Sequence, residues 1–250
     1  MKTKVIALTA LVIVLSALGI ISISRAQQQN IAAEKIAELE EKEKHGRIDF
    51  MERVQLAKGK GKQRLVVPAL VTLYMEVAPS PDELNQKLSN YTVVVAQLIE
   101  KKSYMPVPDE PVIRTWNKFK IIETLSQVPP RQTHFSWPAI PEELLPLKEE
   151  EILVHTEGGT VVADGVEIAQ GDADVPAFRK SQKYLLVLSL DPSTRIGWLE
   201  LGPQSLLPIN LDNTLDVAQD QNYLQQAIKE RHGGSVNQLK GSLRNRSGSR

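Results

Sequence analysis

The chain has 250 residues, enough for one large domain or two small ones. Apolar residues make up 42% and charged residues 24%, with Lys+Arg and Asp+Glu balanced at 30 each. That composition excludes a disordered chain, a collagen-like fibre, a multispanning membrane protein and a strongly basic nucleic-acid binder. There is no cysteine, so disulfides, thiolate metal sites, cysteine nucleophiles and a lipid-modified N-terminal cysteine are excluded as well.

Residues 1–26 read as an export signal. Lys2 and Lys4 form a positive start, Val5 to Ile23 is nearly continuous apolar sequence, and Ser24-Arg25-Ala26 resembles a signal-peptidase site. The apolar run exceeds the ~7–15 residues of a usual signal core. It approaches the ~20 that span a bilayer, so an uncleaved anchor through residues 5–23 is the alternative. Either way the working part is expected outside the cytoplasm, periplasmic or secreted. Without residues 1–26 the chain is slightly acidic. Its end is basic, with Lys229, Arg231, Lys240, Arg244, Arg246 and Arg250 against Glu230 alone.

Residues 27–63 read as a charged helical spacer and linker. Ile31, Ile36 and Leu39 form a thin stripe among charges, Glu38 and Lys42 stand four apart, and Gly46 interrupts the pattern. Lys58-Gly59-Lys60-Gly61-Lys62 reads as a flexible basic link, since it lacks the spacing of a phosphate-binding loop.

Residues 64–212 read as a β-barrel-like domain. Leu65 to Met75 is the first expected strand. Ser80-Pro81-Asp82-Glu83 predicts a helix start with a capping box. Tyr91 to Ile99 is apolar on both alternating faces, which predicts a central strand covered on both sides. Ile113 to Leu125 is a long strand. Ile152 to His155 and Thr160 to Ile168 follow, the latter turned at Asp164-Gly165, the strongest hairpin signal in the chain. Tyr184 to Leu190, Trp198 to Leu201 and Leu206 to Leu211 complete the set, with Pro208 marking an edge. More than half of the 15 prolines lie between Pro106 and Pro146, in two stretches expected as surface excursions. Residues 213–234 hold a closing helix, Asp220 to Arg231, stopped by Gly233-Gly234. Residues 235–250 read as a flexible basic tail. The fold class is therefore mainly β with flanking helices, a small barrel or sandwich.

Several stretches in this order resemble an OB-type barrel of the netrin or tissue-inhibitor sort, and uncharacterised exported bacterial proteins of the same layout. They are Tyr91–Ala96, Phe119–Leu125, Gly158–Val162 and Ala177–Leu188. The resemblance covers about Leu65 to Leu211 and implies an OB-like fold. Those eukaryotic relatives rely on cysteines, which this chain lacks, so no inhibitory residue carries over.

The chemistry in the sequence is sparse. His45, His134, His155 and His232 have no zinc-motif spacing, and no nucleophile elbow or S-x-x-K is present. Asp172-Ala173-Asp174 reads as an acidic turn rather than a calcium loop. Asn90 and Asn245 begin glycosylation acceptor patterns. No cofactor, metal or nucleic acid is expected. Two binding surfaces stand out. Arg114, Trp116, Lys118 and Lys120 share one side of a strand and could meet an anionic polymer. Phe135 and Trp137, on the Pro-rich excursion, could anchor a protein partner. The expected function is a non-catalytic extracytoplasmic binding or accessory module. The alternative is an extracytoplasmic hydrolase whose site is assembled from distant residues. Membrane contact is expected only through an uncleaved N-terminal segment.

Overall fold

The computed structural model describes residues 27–70, 79–107, 110, 112–128, 138–172, 179–191, 193–216 and 222–247. The expected leader, Phe135, Trp137, and Ala173-Asp174 of the acidic turn lie outside them. Among the described residues no helix is long and apolar enough to cross a membrane. The chain divides into two compact units, Met1–Leu65 with Val162–Glu167, and Val66–Val161 with Ile168–Arg250.

In the first unit, helix α1 (residues 27–44) and helix α2 (Phe50–Gly59) are separated where Gly46 takes φ +65°. The thin apolar stripe suffices for one contact patch, in which Leu39, Ile48 and Leu56 are buried and Ile36 packs on them. Lys42 reaches Glu38 at 3.3 Å and Glu52 at 2.6 Å. Asp49 caps α2: its carboxylate accepts the Glu52 N–H at 2.7 Å, and Glu52 accepts the Asp49 N–H at 3.1 Å. Residues 27–35 of α1 are exposed throughout, as a stripe this narrow dictates. The expected flexible link is partly the end of α2. Lys58 and Gly59 are helical, and Lys60 pairs with Glu40 at 3.0 Å.

The second unit is built on a closed barrel. Strand β1 (Arg64–Leu70) and helix α3 (Leu84–Leu88) precede β2 (Thr92–Tyr104), β3 (Arg114–Ser126) and β4 (Glu151–Glu157). Next come β5 (Gly159–Ala163), β6 (Val166–Asp172), β7 (Lys183–Asp191), β8 (Ile196–Leu199) and β9 (Leu206–Ile209). Six strands pair in the order β2-β3-β4-β8-β7-β9, and a further β2–β7 pairing closes the first five into a ring. Every contact in the ring is antiparallel except β4–β8, which is parallel at Leu153 with Ile196. The ring is a closed barrel of five strands. Register shifts in the long β2–β3 pair supply the coiling that a small barrel needs. Strand β9, with Pro208, is the edge. A separate sheet has the order β1-β6-β5. The β5–β6 turn, which belongs to the first unit, puts Asp164 at φ 53° and Gly165 at φ 79°, both positive as a two-residue I′ turn requires.

Alternation places the core on both sides of β2 and β7. Val94, Ala96, Leu98, Tyr184, Leu186 and Leu188 fill the barrel with Phe119, Ile152, Val154 and Leu206. The Phe119 and Tyr184 rings meet edge to face, centroids 6.0 Å apart. The intervening Val93, Val95, Leu185 and Val187 face outward. They are covered by α3, α4 (Tyr223–His232) and α5 (Val236–Ser247) through Leu84, Leu88, Leu224, Ile228, Leu239 and Leu243. Helix α4 stops at Gly233 with φ 59°, as the Gly-Gly signal predicts.

Two local expectations are corrected. Ser80 does not begin the short helix: residues 81–83 form a turn, Ser80 Oγ donates to Glu83 Oε2 at 2.9 Å, and α3 starts at Leu84. The basic end is not a flexible tail over residues 236–247. Val236, Leu239 and Leu243, at helical spacing, bury one side of α5. Lys240 pairs with Glu123 of β3, and Arg244 reaches the same carboxylate at 3.1 Å.

Candidate functional site

The residues singled out on β3 do share one side of it. The register sets Tyr104 of β2, Arg114 of β3 and Glu157 of β4 in one row across the outer face of the barrel. Lys102, Trp116 and His155 form the next row, then Glu100, Lys118 and Leu153.

What the face offers differs from the expectation of a cationic platform. Trp116 is fully buried, among the largest wholly buried side chains. It packs with Leu144, Leu153 and Ile196, with Tyr104, Ile140 and Leu147 at the margin. Its indole N–H donates to the Ala139 carbonyl at 3.2 Å. Each cation has a carboxylate partner: Arg114 with Glu157 at 3.8 Å, Lys118 with Glu151 at 3.1 Å, and Lys120 with Glu150 at 3.9 Å. Neighbouring Lys102 meets Glu143 at 3.0 Å. Charge neutralised in place gives a polyanion little to attract, and an indole under cover presents no stacking surface. The cover is residues 138–147, the end of the Pro-rich excursion. These residues carry a short 3-10 turn at Glu142–Leu144.

Sequence reasoning missed Tyr104, and named His155 without giving it a place in a site. No local motif marks them; they meet only because β2 and β4 flank β3. Tyr104 Oη and His155 Nε2 are 3.1 Å apart, and the imidazole sits edge-on to Trp116, ring centroids 4.8 Å apart. Burial, with the Arg114 guanidinium acting in the same sense, lowers the His155 pKa to about 4. Burial also raises the Tyr104 hydroxyl. His155 is therefore neutral in the fold, whereas the unfolded chain takes up a proton near its ordinary 6.5. Its contribution to stability is complete above about pH 6.5. It declines as the pH falls towards 4, by roughly 2–3 kcal/mol in all. Urea titrations at pH 7 and pH 4.5 test this. His155→Gln should show a shallower loss between the two than the parent, and an equal loss would remove His155 as the cause.

Among the described residues no group of three or more His, Asp or Glu side chains is placed to hold a metal ion. A cleft of about 240 Å³ lies at Thr214, Leu215, Gln225, Lys229, Gly233 and Gly234. Two of its polar side chains are engaged: Thr214 Oγ1 donates to Asp212 at 2.6 Å, and the Gln225 amide donates to the Asp216 carbonyl. No model of a known protein family matches the chain, and no curated protein matches it in sequence. The reading of function therefore rests on the β3–β4 face and its cover.

Proposed function

We propose that the chain is an exported, non-catalytic binding module that acts outside the cytoplasm through the outer surface of its barrel. The observation that carries this reading is the β3–β4 face. An irregular stretch, residues 138–147, lies across it and is held there by side-chain contacts. The barrel interior is filled with aliphatic and aromatic side chains, which directs recognition outward. The leader pattern of residues 1–26 supports export, and the exposed start of α1 suits a spacer after it. The resemblance to netrin and tissue-inhibitor barrels fits the same setting.

Fractionation of cells producing the full chain with a C-terminal tag tests the reading. The protein is expected outside the cytoplasm, and cross-linking there should tie it to a macromolecular partner. Recovery from the cytosol with residues 1–26 intact would overturn export. Recovery outside the cytoplasm with a hydrolytic activity that survives purification would overturn the non-catalytic role.

A further inference from the structure

The geometry points to the β3–β4 face as a groove for a Pro-flanked aliphatic and acidic peptide that carries a single turn, with residues 138–147 as its built-in occupant. This inference deepens the binding-module reading and rests on it. The built-in segment displays the recognition chemistry directly. Leu144 is its only buried residue and sits against Trp116, Leu153 and Ile196. The Ala139 carbonyl accepts from the Trp116 indole, Glu143 meets Lys102, and the following Lys148 carbonyl accepts from Arg195. The groove thus selects a central branched aliphatic anchor with Ile140 and Leu147 packed at its margin, an acidic residue just before the anchor, and main-chain carbonyls on either side.

The same contacts make the segment replaceable. Its backbone bonds, Leu144 N–H to Pro141 and Leu145 N–H to Glu142, are internal to its own turn. The β3–β4 ladder beneath it pairs from Arg114–Glu157 to Lys120–Glu151 and does not use the segment's backbone. Leu145 is 46% exposed, and Glu142, Glu143 and Pro146 are exposed too. Lifting residues 138–147 would leave the barrel ladder intact. A segment held by side-chain contacts, with its turn bonds internal, belongs to the less stable parts of a fold. A partner segment of the same chemistry can then compete for the groove.

The test uses the full chain carrying Leu144→Asp and a labelled synthetic peptide of residues 138–148, PAIPEELLPLK. Fluorescence anisotropy should show saturable binding to the variant. Affinity for the parent chain should be at least tenfold weaker, because its groove is occupied. The peptide with aspartate in place of its own Leu144 should not bind. Circular dichroism and the melting temperature establish that the variant is folded. If Leu144→Asp does not fold, Leu144→Ala replaces it with the same expectation. A folded variant that shows no saturable binding overturns the groove, and so does equal binding by the parent and by the substituted peptide. A cytosolic location would remove the export reading and leave this result standing. Failure of the peptide would leave the export reading standing.

Discussion

Replacing Trp116 with alanine should lower the unfolding free energy by about 3–5 kcal/mol, the cost of deleting a large buried aromatic side chain. For a chain of this size that is a fall in melting temperature on the order of 10 °C. The effect is expected to be large because Trp116 is fully buried where three parts of the fold converge. Leu153 and His155 come from β4, Ile196 from β8, and Leu144 from the covering segment. No single neighbour can collapse into the space. Trp116→Phe keeps most of the packing and loses the indole bond to Ala139, so about 1–2 kcal/mol is expected. Denaturant titration of both variants measures the difference. A loss under 1 kcal/mol for Trp116→Ala would show that residues 138–147 do not rest on the indole.

Glu151→Ala should cost a comparable amount, about 3–5 kcal/mol, for an electrostatic reason. Glu151 and Lys118 are both largely buried, side chains 6% and 11% exposed, with 3.1 Å between nitrogen and oxygen. Burial alone would push the Glu151 carboxyl up. The Lys148 N–H, bonded at 3.0 Å, and the Lys118 ammonium outweigh burial and hold it below its usual range. Truncating the acid leaves Lys118 as an uncompensated charge with only 11% of its side chain exposed. Replacing both together, Lys118→Met with Glu151→Leu, should recover most of the stability, because the desolvation of two ions disappears along with their attraction. If the double variant is no more stable than Glu151→Ala alone, the pair is not a coupled buried unit. Equilibrium urea unfolding of the two variants and the parent decides it.

Much of the barrel can be read from local pattern. The apolar run VVVA between Thr92 and Gln97 announces a strand with both faces covered, and β2 is covered by barrel core on one side and helices on the other. Asp164-Gly165 announces its hairpin through the positive φ that only such residues accept readily. Gly233 marks the end of α4 for the same reason. Helix α5 was legible in principle, since Val236, Leu239 and Leu243 repeat at helical spacing. The Ser-, Gly- and Arg-rich composition obscured that stripe because charge dominates any average over the segment.

The candidate face divides the same way. Strand periodicity by itself determined that Arg114, Trp116, Lys118 and Lys120 point to one side, because side chains alternate along any strand. It also determined that Phe119 points to the other side, where it meets Tyr184. Only tertiary structure decided which neighbours those side chains receive. The carboxylates that neutralise the cations come from β4, from the residue before it and from Glu143, and the cover over Trp116 comes from residues 138–147. Tyr104 and His155, 51 positions apart, are joined across β3 by pairing register. Local sequence sets the direction of a side chain through backbone geometry. What that side chain touches is set by closure of the sheet, which brings together residues with no common local signal.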